Sequence, residues 1–545
     1  MKSLILLAFF CFLIGSEQIS TPSDDSYVAA VVEYEVLSNT DTNIANYIRI
    51  IKEASEQNAD IVVFPEMTLN RGNRNVEVPI YGRLKEYPVP ALHEDLYDSI
   101  LVSMSSAARN NRIYVVINVQ EEMNCANAPG EECPENKVYL FNTDVVFDRN
   151  GAVIDRYRKI NLFGEFTRTP ALKPELGIFT TDFGVTFGHF ICFDLMFQVP
   201  AVQLPQKHNV TDVIFPTMWF SEMPYLTAVQ IQEAYAYAMN VNFLAAGANN
   251  VRIGSAGSGI YSGKAGALIS IMPGVPTTRL LVAKVPKVPG EVKDAYPGPI
   301  YDNPSDHDNL LLKVDPSLAS HRSRLLQPGL QEFTLVDGTT TCRFKVSLSE
   351  SPNTRYKYRA GTFDGVRTYD GVATGGVRIC AVYACTDDTR ESCGKRFPQY
   401  SPNSFATFQE LTIEASFATP QSVEELGADD AAYFPVSLKP SILPLEADEF
   451  SFSSTSSFNT TDIYSYRLLN KSAELYNFGI FGRVFDRDGQ EPTPPLSDDE
   501  PETTIAPTTT TASPECCAPG ACASIYINLF LLMPAIVTAV TSIFS

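Results

Sequence analysis

The chain has 545 residues, room for two or three domains plus tails, and its 45% hydrophobic and 11% aromatic content is that of a folding chain. A formal net charge of −22 and a pI near 4.7 exclude a nucleic-acid-binding protein, which needs clustered Lys and Arg. The acidity is that of a solvated outer surface.

Met1-Lys2 followed by the apolar run Leu4 to Ile14, then Gly15 and Ser16, has the form of a secretory signal, assigned to 1–20. Its core is too short for a membrane span, and Cys11 is lost with it. Export makes the sequons at Asn209, Asn459 and Asn470 candidate glycosylation sites.

Residues 21–305 alternate strand and helix signals. Val28–Tyr34 reads as a strand, Asn43–Asn58 as a helix with Ile44, Tyr47, Ile48, Ile51 and Ala54 at helical spacing, and Asp60–Phe64 as a buried strand. Leu96–Asn110 reads as a helix and Ile113–Val119 as a strand. Val138–Phe141 and Val145–Phe147 read as a hairpin-like pair before the turn Asp148–Gly151. Thr186–Phe193 and Val213–Phe215 are further strands, Leu226–Asn240 a helix and Phe243–Gly247 a strand. Repeated β-α units with nearly all-apolar strands predict an α/β sheet covered by helices.

Residues 306–488 change character. Short β-type runs dominate: Phe344–Leu348, Val377–Tyr383, Phe405–Ile413, Tyr464–Leu468 and Phe478–Val484. Residues 489–515 are Pro/Thr-rich and read as an extended, O-glycosylated stalk. Residues 516–545 combine small residues with an apolar tail and lack a basic cluster after it. This predicts a GPI-attachment signal, with the lipid on Ser513, Ala518 or Gly520, and so a membrane tether.

Ten cysteines remain after the signal. Cys125 and Cys133 flank one short loop and are natural partners. Cys342, Cys380, Cys385 and Cys393 form a group with three possible connectivities. Cys516, Cys517 and Cys522 lie by the lipid signal. Cys192 stands alone in a hydrophobic run, as either a buried small hydrophobe or a nucleophile.

Context favours the nucleophile. IVVFPE (Ile61–Glu66) ends an apolar strand on a carboxylate, and DRYRKINLFGE (Asp155–Glu165) carries Lys159 into a loop. A thiolate needs a base to take its proton, which Glu66 offers, and a developing oxyanion needs donors, which Lys159 and the Phe193 backbone N–H offer. His189 lies three residues before Cys192, and odd spacing on a strand puts the two on opposite faces. The histidines show no ligand spacing, and no Walker loop or dinucleotide fingerprint is present, so no metal and no cofactor is predicted.

FPE at Phe64–Glu66, RKINLFGE at Arg158–Glu165 and CFD at Cys192–Asp194 resemble the nitrilase (carbon–nitrogen hydrolase) superfamily. NTDVVFDRNG (Asn142–Gly151), DLMFQVPAV (Asp194–Val202), VIFPTMW (Val213–Trp219), VNFLAA (Val241–Ala246) and ICAVYAC (Ile379–Cys385) resemble its vanin and biotinidase branch. The resemblance implies a four-layer αββα sandwich with a smaller, disulfide-braced, β-rich base domain, and a disulfide loop at Cys125/Cys133. It implies Glu66 as proton acceptor, Lys159 as proton donor and oxyanion stabiliser, and Cys192 as nucleophile. Glu165 would position the lysine, and Trp219 would line the pocket, with plain core packing its alternative.

The implied activity is an extracellular amidase on linear carboxamides, acting through a thioester. Its first expected substrate is pantetheine, cleaved to pantothenate and cysteamine. A biotinidase-like amidase or a catalytically silent adhesion or signalling protein is the alternative. The partners expected are a small-molecule amide, no nucleic acid, and a membrane through the lipid, with the chain a monomer or dimer. The loop after Glu66, MTLNRGNRNVEVPIY, departs from the vertebrate members, so the substrate is less fixed than the chemistry.

Overall fold

The computed structural model describes residues 19–72, 74–80, 83–456, 460–497 and 504–505. Residues 1–18 of the signal segment, Asn459, the later part of the stalk, Cys516, Cys517, Cys522 and the candidate lipid sites Ser513, Ala518 and Gly520 lie outside them.

The first region is built from two sheets that join along one strand edge. In the first, Ser26–Glu35 pairs in parallel with Ile61–Val63, which pairs in parallel with Tyr114–Asn124. Val138–Phe147 and Val153–Arg158 extend it antiparallel, and Arg279–Pro286 closes its other side. In the second, Thr186–His189, Asp212–Thr217 and Asn242–Asn249 run parallel, and Ser258–Ser262 and Ala267–Ile271 follow antiparallel. The two meet where Tyr34 and Glu35 pair with Ala248 and Asn249.

Alternation along the strands explains the layers. Ala29, Val31, Val63 and Val116 point inward against Phe187, Ile214, Leu244 and Ile260 of the second sheet. Ala30, Val32, Val62 and Val115 point outward against Tyr47, Ile51, Leu101 and Met104 on the helices Thr40–Glu56 and Ser99–Asn111. Phe215, Phe243 and Ala245 meet Val229, Ile231 and Tyr235 of the helix Ala228–Met239 on the far side. The result is the αββα sandwich of the expected class. Asn39 and Asp98 cap the first two helices, each accepting an N–H from the first turn.

The C-terminal region is two antiparallel sheets. One orders Arg322–Leu325, Lys357–Tyr369, Ala373–Cys385, Asn477–Val484 and Ala431–Leu438. The other runs through Phe450–Ser456, Thr461–Leu468, Thr407–Ala418, Thr340–Ser349 and Gly329–Asp337. Cys342–Cys380 ties the two sheets, Cys385–Cys393 pins a hairpin end, and Cys125–Cys133 closes its loop in the first region. The open connectivity of the four cysteines thus resolves to sequential pairs. Helix Ala228–Met239 packs against strand Ala431–Leu438, and one continuous core runs through both regions.

Three readings change. Val138–Phe147 is one unbroken strand rather than a pair. Its interruption, Asn142-Thr143-Asp144, is polar because it is buried in a hydrogen-bonded network, not because it turns. The strand at Thr186 ends at His189, and Cys192 opens a short 3₁₀ turn, Cys192–Met196. The start of the stalk is bound to the fold: Thr493 N–H donates to Val366 O and Leu496 N–H to Ala319 O. Asn209 is an exposed αL residue closing the helix Gln203–His208, and Asn470 is exposed beside Glu449.

Candidate active site

Three chain segments deliver three chemical groups to the same end of the sandwich. Ile61–Val63 runs on through Phe64 and Pro65 to Glu66, and Val153–Arg158 runs directly into Lys159. Thr186–His189 leads to Cys192. The chain bends sharply at two of these points, since Met67 has φ +52° and Cys192 has φ +50°. Such backbone is rare for residues other than glycine and is held only where surrounding contacts over-determine it.

At Cys192 those contacts come from Asp194. Its Oδ2 accepts from Tyr157 Oη at 2.7 Å and from Ile191 N at 3.2 Å, and its Oδ1 accepts from Asn161 N at 2.8 Å and Asn161 Nδ2 at 2.9 Å. The first bond closing the turn is Asp194 N–H to Ile191 O at 3.1 Å, so the Phe193 N–H precedes the bonded part of the turn. Burial pushes the Asp194 carboxyl up to about 6, against the pull of these donors.

At Glu66 the contacts are amides and an ammonium. Oε1 accepts from Lys159 Nζ at 2.8 Å and Asn142 Nδ2 at 2.7 Å, and Oε2 accepts from the Met218 N–H at 2.8 Å. Lys159 Nζ also donates to Glu165 Oε2 at 3.0 Å, and Asn142 Nδ2 to Glu165 Oε1 at 2.5 Å. Burial works against the Lys159 ammonium, but Glu66 and Glu165 outweigh it and hold the group well above the usual lysine range.

Behind this cluster, Asn118 Nδ2 donates to Asn142 Oδ1 at 2.7 Å and Asp144 Oδ1 at 3.0 Å. Asn118 Oδ1 accepts the Met67 N–H at 2.8 Å. His189 sits between Asp144, 3.5 Å from Nδ1, and Asp155, 3.1 Å from Nε2. Burial lowers the imidazolium and the two carboxylates more than restore it, leaving it at about 9. Asp144 is itself pushed up by burial, with His189 and Asn118 pulling the other way. His189 therefore belongs to the support behind the cluster, through Asp144 and Asp155, and the strand alternation expected to separate it from Cys192 does not apply, because the strand ends at His189.

The Cys192 thiol is pushed up, first by burial and then by the Glu66 charge, while Lys159, Thr217 and the Met218 N–H pull the other way. It is a neutral thiol at rest and needs a base. Thr217 Oγ1 is buried with no hydrogen-bond partner among the described residues. Its contact with the thiol is a weak polar one, short of a well-formed hydrogen bond, and favours the thiolate.

A pocket opens onto Cys192. Phe163, Phe193, Met196, Trp219, Phe220 and Leu226 wall it together with Glu222, whose carboxylate is held by the buried Arg367, and the C-terminal region adds Lys313, Tyr369 and Asp370. Trp219 lines this space and also donates from Nε1 to Leu226 O at 2.8 Å, so both readings of it hold. Phe193 packs edge-on against Phe163 and Tyr369. The arrangement presents a thiol to an apolar pocket, with an acid–ammonium cluster at its back.

Of the residues expected from sequence, Glu66, Lys159, Glu165, Cys192, Phe193 and Trp219 are brought together here. Asn118, Asn142, Thr217, Lys313 and Tyr369 were not foreseen. The first two are lone amides inside apolar strands, a pattern that marks a buried polar role. The last two come from a region with no catalytic signature.

The carbon–nitrogen hydrolase family model matches residues 28–274, and the Vanin C-terminal domain model matches 310–488. Vanin-like protein 1 of Drosophila melanogaster is 36% identical, over 87% of this chain and 88% of its own. A protein named Pantetheinase from Mus musculus is 28% identical, over 85% and 90%, and one named Biotinidase from Takifugu rubripes is 30% identical, over 68% and 81%.

Proposed function

The chain belongs to the carbon–nitrogen hydrolase family, in its vanin branch, and is a hydrolase acting on amides; from that premise we propose that Glu66, Lys159 and Cys192 cleave pantetheine to pantothenate and cysteamine. The convergence of a neutral buried thiol, a carboxylate and an ammonium beside one apolar pocket carries the reading.

The steps balance as follows. Glu66 takes the Cys192 proton, and the sulfur attacks the amide carbon, forming a C–S bond. Lys159 and the Phe193 N–H hold the oxyanion, with Glu165 keeping the ammonium in place. The C–N bond breaks as Glu66 passes its proton to the leaving amine. Water, deprotonated by Glu66, then attacks the thioester. The acid leaves, and the proton returns to the Cys192 sulfur.

Pantetheine is favoured by the relatives named Pantetheinase, and biotin amides are the second reading, favoured by the relative named Biotinidase. Side-by-side turnover of pantetheine and biocytin by the purified protein decides between them. Pantetheine hydrolysis that survives Cys192→Ala sinks the mechanism.

The proposal extends to the rest of the chain. Residues 1–20 would direct export, 489–515 would form the stalk, and 516–545 would be exchanged for a GPI lipid at Ser513, Ala518 or Gly520. Asn209, Asn459 and Asn470 would carry glycans. Release of the protein from cells by a GPI-cleaving phospholipase tests the tether.

A further inference from the structure

The pocket beside Cys192 is not closed by the region that carries the chemistry. Its outer wall is the tip of a hairpin in the C-terminal region, where Lys357–Tyr369 turns into Ala373–Cys385 through Asp370 (φ +54°) and Gly371 (φ +72°). Asp and Gly are residue types that tolerate this backbone. Tyr369 presses its ring on Phe193, the neighbour of the nucleophile, with centroids 5.3 Å apart. Asp370 forms an ion pair with Lys313, whose Nζ lies 5.2 Å from the centre of the Phe220 ring. Lys313 in turn lies in a two-residue strand pairing with Glu222–Met223 of the first region.

Stability does not account for this ion pair. Its side chains are 29% and 42% exposed, a setting in which such pairs contribute little. Both line the pocket. The pair is net neutral, and the other carboxylate on the wall, Glu222, is paired with Arg367, yet Lys313 and Asp370 offer ammonium donors and carboxylate acceptors side by side at the edge of a largely aromatic and aliphatic space. Beneath it the Tyr369 hydroxyl is buried with no hydrogen-bond partner among the described residues, a second polar group left over.

We propose that Lys313, Asp370 and Tyr369 are the specificity determinants of this amidase, selecting acyl groups that combine an apolar body with uncharged hydrogen-bonding groups. A hydroxyl or carbamoyl function gains a donor and an acceptor from the pair. A carboxylate or ammonium on the acyl chain meets one attractive and one repulsive charge and gains nothing. The inference rests on Cys192 being the residue acylated in this pocket.

The test uses cysteamine amides of equal acyl length: pantetheine, an all-alkyl acyl amide, and one ending in a carboxylate. Asp370→Asn removes the carboxylate paired with Lys313, while Glu222 stays paired with Arg367. Its kcat/KM ratio for the carboxylate amide over the alkyl amide is expected to rise about tenfold, the effect of one partly screened charge. Lys313→Met is expected to lower the same ratio, with thermal stability little changed in both variants. Tyr369→Phe is expected to lower the preference for pantetheine over the alkyl amide without lowering the unfolding temperature, because it removes an unpaired hydroxyl. Ratios that stay at the wild-type values in all three variants overturn the inference and leave the amidase reading standing. Cys192-dependent turnover of the alkyl and carboxylate amides but not of pantetheine removes the proposed substrate, and the first two ratios still decide the inference. No Cys192-dependent turnover of any probe overturns both.

Discussion

Lys159 Nζ and Glu66 Oε1 stand 2.8 Å apart with side chains 1% and 3% exposed. The pair is removed from solvent on all sides, and Glu165 completes it at 3.0 Å from the same ammonium. Two carboxylates share one cation, so each depends on the lysine being charged. The cluster has the character of a fixed electrostatic fitting rather than a surface ion pair.

Glu66→Gln keeps the shape and removes the proposed proton acceptor. Amide turnover is expected to fall about 10²–10⁴-fold, with KM changed far less. Steady-state kinetics on the best amide substrate checks this. A fall confined to KM would move Glu66 from chemistry to binding.

Lys159→Met strands the buried Glu66 and the partly buried Glu165 without their cation. A loss of about 3–5 kcal/mol in urea unfolding is expected beside the loss of activity. Glu165→Gln should be milder on both counts, since Glu66 still pairs with the ammonium and Asn142 still donates to the side chain at 165.

Thr217→Val removes a hydroxyl that favours the thiolate. Alkylation of Cys192 by iodoacetamide, followed by peptide mass mapping, should slow at neutral pH and recover at higher pH. A rate equal to wild type across the range would confine Thr217 to packing.

His189 is held at about 9, above its ordinary 6.5, once Asp144 and Asp155 outweigh its burial. A raised basic group contributes its full stabilisation below about 6.5 and loses it as pH climbs through about 9. Urea midpoints taken from pH 6 to 10 should therefore decline on the alkaline side. His189→Gln should be less stable at pH 6 and show a shallower alkaline decline.

Cys342–Cys380 closes a span of 38 residues between two sheets, and Cys125–Cys133 a span of 8 at a partly exposed loop. Loop entropy alone makes the longer bridge worth about 1.4 kcal/mol more. Ala pairs at each bridge, compared by thermal unfolding, should rank in that order. The gap should widen further because Cys342 and Cys380 are fully buried.

The β-α alternation of the first region was legible because parallel strands are apolar throughout and helices show their period. Strands such as Arg279–Pro286 and Gly329–Asp337 were not, since their edge positions mix Lys, Arg and Glu with the apolar residues. Glu66, Lys159 and Cys192 could be read from strand ends and flanking runs. Asn142 and Asp144 were mistaken for a turn, because polarity inside a strand normally signals one. The pocket wall at Lys313, Tyr369 and Asp370 was illegible for a different reason. Nothing in a local run announces that a hairpin tip will meet a thiol about 180 residues earlier in the chain.

Glu66 and Glu165 against Lys159 leave these three groups with one surplus negative charge while the thiol is neutral. In the proposed first step the proton passes from sulfur to Glu66, and that surplus moves to sulfur without growing. When the carbonyl is attacked it moves again, onto oxygen beside Lys159. The interior thus carries a constant total through every anionic stage and never has to import a counter-ion. Dissolved salt screens exposed charges over about 8–10 Å and finds little to act on at Lys159 and Glu66, 1% and 3% exposed. Bond breaking is therefore shielded from the ionic strength of the surrounding fluid, and salt acts instead at the pocket edge, on the partly exposed Lys313 and Asp370, and on the approach of the substrate.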